Sequence, residues 1–235
     1  PTLEAALAGE SDERLLAAVV RAERAGRAQL LAPVEPSKVV CVGLNYRRHA
    51  EEMGKPLPEE PLLFIKPSTA VVGPGAQIRI PQCSSEVHFE GELAVVIGAR
   101  ASDVSISDVA DVIAGYTIMN DVTARDIQRH ERHYTRAKGF DTFAPVGPVI
   151  ATGLDPASLA LETRVNGEVR QRSSCADLIF SVSELIAFIT QVMTLLPGDI
   201  VSTGTPSGVG AIVAGDVVEV SIEGIGVLSN PVATK

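Results

Sequence analysis

The chain has 235 residues, enough for one sizeable core and too few to expect two. Hydrophobic residues make up 46% and charged residues 21%, which excludes disorder as its general state. A net charge of −9 and an aromatic content of 4% argue against phosphate-backbone binding and against a base-stacking platform, so no nucleic-acid partner is expected.

In chain order, the first thirty-odd residues are rich in helix formers, with Leu15, Leu16, Val19 and Val20 as an apolar stripe. Ala32-Pro33-Val34-Glu35-Pro36 reads as a linker, because each proline holds its predecessor extended. The expected division is a short helical arm and linker over 1–36 and a main domain over 37–235. The pattern from Lys38 onward is strand-rich. Strands are expected at Val39–Val42, Leu62–Ile65, Ile78–Ile80, Phe89–Ile97, Tyr116–Met119, Val149–Ala151, Leu161–Val165, Glu168–Gln171, Ile200–Ser202 and Val217–Ile222. Asn166-Gly167 marks a hairpin. Helices are expected at Asn45–Met53, capped by Asn45 and stopped by Gly54, and at Ile106–Ile113, Thr123–Arg129 and Val182–Leu196. Strands dominate and do not alternate regularly with helices, which predicts an α+β fold with a strongly curved antiparallel or mixed sheet.

No apolar run reaches the ~18 residues that span a bilayer, so no membrane partner is expected. No secretory signal is seen, and Cys41, Cys83 and Cys175 form no CxxC pair, which suits a reducing cytoplasm.

Five segments carry candidate chemistry. Alternation along the predicted strand puts Glu90 and Glu92 on one face, with Cα atoms roughly 6.5–7 Å apart. Two buried carboxylates side by side need a cation, and all-oxygen ligation selects Mg²⁺, Mn²⁺ or Ca²⁺ over zinc. The alternative is an exposed face with two solvated glutamates. Asp121 can add a third carboxylate or act as a helix N-cap. Arg125, four residues on, shares a helix face with Asp121 and can clamp a substrate carboxylate or form a surface ion pair. Lys138 lies between small residues in an irregular segment and, taken alone, reads as solvated. His49 and Glu52 lie three apart on one helical face, which suits a general base and its orienting carboxylate, or an ordinary charged surface helix. The turn Thr203–Gly210 can present backbone N–H groups to an anion, or simply be a turn.

Six segments occur in a telling order: Gly43-Leu44-Asn45-Tyr46 with His49-Ala50, Lys66-Pro67-Ser68-Thr69, Glu90-Gly91-Glu92, Asn120-Asp121 with Arg125 and Gln128, Lys138 with Phe140-Asp141-Thr142-Phe143, and Thr203-Gly204-Thr205-Pro206. From about Val39 to the C-terminus the chain resembles the fumarylacetoacetate hydrolase family. The resemblance implies a mixed β-sandwich roll with few helices, assembled as a homodimer or higher homo-oligomer. It implies one Mg²⁺ (or Mn²⁺ or Ca²⁺) on Glu90, Glu92 and Asp121. Substrate would be placed by Arg125, Gln128 and Thr205. Catalysis would fall to Lys138 and to the His49–Glu52 dyad on a lid spanning Arg47–Leu57. The implied activity is metal-dependent chemistry on small carboxylated 2-oxo or β-diketo acids through a metal-stabilised enolate. C–C hydrolysis of acylpyruvates, isomerisation or decarboxylation of unsaturated 2-oxo dioates, and oxaloacetate decarboxylation are all compatible with it. A non-catalytic metabolite-binding protein on the same fold is the alternative from another class. Pocket walls are expected from His130–Tyr134 and Phe143.

Overall fold

The computed structural model describes residues 30–131 and 133–235. The helical arm expected in the first thirty residues lies outside the described residues, save its end. Ala32 and Val34 of the proline-rich linker pack against buried Val39, Cys41 and Ile200.

Three sheets make the main domain. The largest runs β2 (Leu62–Pro67), β1 (Lys38–Gly43), β12 (Ile200–Ser202), β6 (Gly91–Ile97), β7 (Ile113–Asn120), β9 (Ala144–Ala151) and β3 (Val71–Val72). A second runs β11 (Glu168–Ser174), β10 (Ala160–Val165), β14 (Val217–Ile222), β15 (Gly226–Thr234) and β4 (Ile78–Ile80). A third holds β13 (Gly210–Ile212), β5 (Val87–Phe89) and β8 (Thr123–Ala124). Pairing is mostly antiparallel, but β1–β12, β3–β9 and β4–β15 are parallel. Strands β10, β14 and β15 lie against β6, β7 and β9, so the two larger sheets form a sandwich. This is the mixed β-sandwich roll that the resemblance implies, and it is α+β as the strand-rich sequence predicts.

Four α-helices occur among the described residues: α1 (Arg47–Glu52), α2 (Arg125–His130), α3 (Thr135–Lys138) and α4 (Val182–Val192). None of the described helices is long and apolar enough to cross a membrane. Helix α4 begins with a capping box, Ser181 accepting from Glu184 N–H at 3.3 Å and Glu184 accepting from Ser181 N–H at 2.7 Å. It ends at Val192, short of the expected Leu196, because the chain leaves helical geometry at Met193. Its buried Leu185, Ile186 and Ile189 join Leu93, Val95 and Ile97 of β6 in the main core. Each such side chain contributes about 1.5–3 kcal/mol when fully buried.

Several expectations change in the structure. Ile106–Val112 is 3₁₀ rather than α-helical. Asn45 does not cap α1. Its amide donates to Thr203 O at 2.8 Å and Phe180 O at 3.1 Å, and its Oδ1 accepts from Phe180 N–H, so tertiary contacts claim the side chain and Tyr46 stands at the cap. Gly54, at φ +62°, does end the helix. The Asn166-Gly167 hairpin is as expected, with φ +53° and +80° as a type I′ turn requires. The expected strand Phe89–Ile97 is broken at Glu90, with β5 and β6 in different sheets. Gly91 follows the break. A Cβ there would stand 2.2 Å from Thr163 Oγ1, so the close approach of β10 excludes any larger residue.

Candidate active site

The break at Glu90 is the local feature that builds the site. Gln171, from β11, accepts from Gly91 N–H at 3.0 Å, and Asn120 Oδ1 accepts from Glu90 N–H at 2.9 Å. Asp121 N–H donates to Glu90 O at 2.8 Å, tying the end of β7 to the break. Glu90, Glu92 and Asp121 are all buried, and each offers an oxygen within 4.8 Å of the other two.

Cations surround two of the three carboxylates. Lys138 ends α3 and is buried, contrary to the irregular, solvated lysine that spacing alone suggests. Its Nζ donates to Asp121 Oδ2 at 2.5 Å, Glu90 Oε2 at 2.9 Å and Thr123 Oγ1 at 2.8 Å, and lies 4.9 Å from the centre of the Phe64 ring. Lys66 reaches the other Asp121 oxygen at 2.5 Å. Arg125 pairs with Glu90 and donates to Gln128 Oε1 at 2.5 Å. Asp121 and Arg125 therefore do not share a helix face. Helix α2 begins only at Arg125, because Thr123–Ala124 pairs with β5 as a short strand.

Glu92 differs. It accepts from Ser202 Oγ–H at 2.5 Å and from Gly204 N–H at 2.9 Å, and among the described residues no cation pairs with it. Burial, then the Asp121 and Glu90 carboxylates, push its carboxyl up to about 8. For Glu90 burial pushes the other way from the net result. Lys138 and Arg125 outweigh it and hold the carboxyl well below the usual range. Burial likewise opposes the Lys138 charge, and Asp121 and Glu90 outweigh it to hold the ammonium above its ordinary range.

These groups line a cavity of about 370 Å³. His49, Gln128 and Thr205 also line it, with Met53, Leu62, Phe64 and Tyr134 as its apolar side. His49 Nδ1 lies 3.0 Å from Glu52 Oε2. A proton held on Nδ1 by that carboxylate leaves Nε2 as the acceptor. Glu52 also stands 3.3 Å from Gly208 N–H, which links α1 to the Thr203–Gly210 turn. Thr205 donates its hydroxyl to Gly91 O at 2.9 Å and accepts from Gln171, so reaching a substrate requires it to give up that bond. Eight of the nine expected site residues line the cavity, and Glu52 joins through His49. Of the expected walls Tyr134 is present. Phe143 is wholly buried in the core beside Phe140, with ring centres 5.2 Å apart.

Sequence reasoning left Lys66, Ser202 and Gln171 without a role. Lys66 had a visible signal, a lone charge ending the apolar run Leu62–Ile65. Gln171 and Ser202 had none, since each acts through a partner far away in sequence.

Known proteins share this arrangement of chain. Residues 38–233 match the family model described as fumarylacetoacetate (FAA) hydrolase C-terminal. A crystal structure of 5-carboxymethyl-2-hydroxymuconate delta-isomerase from Mycobacterium smegmatis superposes with a TM-score of 0.84 at 53% identity, covering 88% of this chain and 82% of that one. A structure of 2-hydroxyhepta-2,4-diene-1,7-dioate isomerase from Mycobacterium marinum gives the same TM-score, 0.84, and the same identity, 53%, over 89% of this chain and 79% of that one. Oxaloacetate tautomerase YisK of Bacillus subtilis is 44% identical over 219 residues, 87% of this chain and 73% of its own. With the match running through the sandwich, the broken strand at Glu90 and the α1 helix alike, the chain belongs to the fumarylacetoacetate hydrolase family.

Proposed function

We propose that the chain is a divalent-cation-dependent isomerase that moves a proton on small 2-oxo acids, by keto–enol tautomerisation or double-bond migration. One observation carries the cation: Glu92 is buried, has no cationic partner among the described residues, and stands beside two further carboxylates. An uncompensated buried carboxylate is costly, and a hard divalent ion on an all-oxygen donor set removes that cost. Mg²⁺, Mn²⁺ and Ca²⁺ fit the donors, and Glu90, Glu92 and Asp121 would hold the ion. Bound there, it would supply Lewis-acid polarisation of a substrate keto oxygen.

The chain's own residues supply the remainder. His49 takes a proton from the carbon beside the keto group and returns it elsewhere on the substrate, while Glu52 fixes the imidazole tautomer. Lys138 places a positive charge against the oxygen on which negative charge develops. Arg125 and Gln128, already joined by a hydrogen bond, present a polar edge to a substrate carboxylate. Helix α1 and its extension to Leu57 act as a lid that excludes water. Proton transfer takes precedence over C–C hydrolysis because the relatives named above are a tautomerase and two isomerases. Their named substrates suggest 2-oxo acids with a second carboxylate, and the cavity is of a size for small ones. We place the enzyme in the cytoplasm as a homo-oligomer, with residues 37–235 as the catalytic domain.

The test follows oxaloacetate in two channels, enol absorbance and pyruvate release, with Mg²⁺, with Mn²⁺ and with EDTA. The proposal expects cation-dependent acceleration of keto–enol exchange, lost in Glu90→Ala. Pyruvate release outpacing tautomerisation would reassign the reaction to decarboxylation. Silence across oxaloacetate, acylpyruvates and unsaturated 2-oxo dioates would leave a binding protein.

A further inference from the structure

Strand β2 is an edge strand whose single buried residue is a lysine. Leu62, Ile65 and Pro67 are exposed and Leu63 and Phe64 half-buried, whereas Lys66 is wholly inaccessible. Burying an ammonium demands a specific return. The Lys66 Nζ has two partners, Asp121 Oδ1 at 2.5 Å and Val122 O at 3.0 Å. Lys138 takes the opposite oxygen, Oδ2, and lines the cavity, while Lys66 does not. Asp121 is thus held through one oxygen by a lysine outside the cavity and through the other by a lysine that lines it.

We infer that Lys66 is a positioning residue that fixes Asp121 through one oxygen, leaves the second toward the cavity, and lowers the charge of three carboxylates to match a divalent ion. Lys138 and Arg125 now pair with Glu90 and Asp121. Once a cation binds and those two turn to substrate oxygens, the three ionised carboxylates with Lys66 carry a net charge equal and opposite to that of the divalent ion. The assignment rests on reading the three carboxylates as the cation site. Because Lys66 does not line the cavity, it acts through Asp121 and not on substrate.

The experiment measures binding without substrate, Mn²⁺ by electron paramagnetic resonance and Tb³⁺ by luminescence, on the wild-type chain and on Lys66→Gln, Lys66→Met and Lys66→Arg. Thermal melting of each variant checks folding. Lys66→Gln keeps a donor for Asp121 and loses the charge, and Lys66→Arg keeps the charge. The ratio of Tb³⁺ to Mn²⁺ affinity should rise at least about tenfold in Lys66→Gln and Lys66→Met, since removing a nearby positive charge favours the ion of higher charge. Lys66→Arg should retain the wild-type ratio. A purely packing role would alter stability and leave the ratio unchanged. If Lys66→Met does not fold, Lys66→Gln decides. An unchanged ratio in a folded neutral variant, or a displaced ratio in Lys66→Arg, overturns the inference while the cation reading stands. Failure of the wild-type chain to bind Mn²⁺ overturns both.

Discussion

Replacing Glu92 by Gln should stabilise the cation-free protein and abolish its response to cations. The folded chain holds the Glu92 carboxyl up to about 8, against an ordinary value of 4.5. Between those values the folded chain binds a proton that the unfolded chain has released, so its stability falls as pH rises. Each pH unit in that window is worth about 1.4 kcal/mol, so by pH 7 the ionisable group costs about 3–4 kcal/mol. Gln has no charge to lose and still offers an acceptor to Ser202 Oγ–H and Gly204 N–H, the two donors Glu92 now uses. In EDTA at pH 7 the variant should melt about 7–14 °C above wild type. The gap should narrow toward pH 5 and widen toward pH 8. Mg²⁺ at a thousand times its Kd should reverse the order, because it stabilises the wild type by about 4.1 kcal/mol and the variant has lost a carboxylate ligand. Differential scanning fluorimetry across pH 5–9, with Mg²⁺ and with EDTA, reads all of this. A variant less stable than wild type in EDTA at pH 8, or an equal Mg²⁺ response in both, would refute the reasoning.

Three further outcomes follow. His49→Gln should lower kcat by about 10²–10⁴ in the tautomerisation assay while the Mg²⁺-induced rise in Tm persists, which separates the base from the cation site. Asp199 accepts from Ser37 Oγ–H at 2.6 Å and from Leu196 N–H at 2.9 Å, and pairs with Lys38. Burial acts to raise its carboxyl, but these partners outweigh it and hold it below the ordinary 3.8. Its stabilisation is therefore present above pH 4 and lost as pH falls through the lower folded value, and acid melts of Asp199→Asn should show a shallower loss from a lower starting Tm. Gly91→Ala should destabilise the fold by about 2 kcal/mol or more and lower cation affinity together, since a Cβ there meets Thr163 Oγ1 at 2.2 Å and forces apart the break that carries Glu90; urea unfolding and Mn²⁺ titration check both halves.

Much of the fold was legible because it rests on local pattern. Ile78–Ile80, Ile200–Ser202 and Val217–Ile222 lie where alternation and turn residues place them, and the Asn166-Gly167 hairpin follows from the φ its turn demands. Strand β15 was not, since Pro231 and scattered Gly, Ser and Asn hide it until β14 and β4 pair with it. Asn45 and the Thr123–Ala124 pair read as helix starts because capping chemistry is local, whereas the contacts that claim them come from Phe180, Thr203 and β5. The clustering of Glu90 and Glu92 was visible in their spacing, although a break, not an unbroken strand, aims them. Lys66 was visible as a lone charge closing an apolar run, but its role was not, because that role lies in Asp121, 55 residues away.

The central claim is that Glu90, Glu92 and Asp121 share one divalent ion. Diffraction from crystals soaked in Mn²⁺, recorded at the manganese absorption edge, addresses it directly. A single anomalous peak per chain among the three carboxylates, with Glu92 in contact with it, is the predicted result. A map without a peak there, with Lys138 still bridging Glu90 and Asp121 at saturating Mn²⁺, would contradict it.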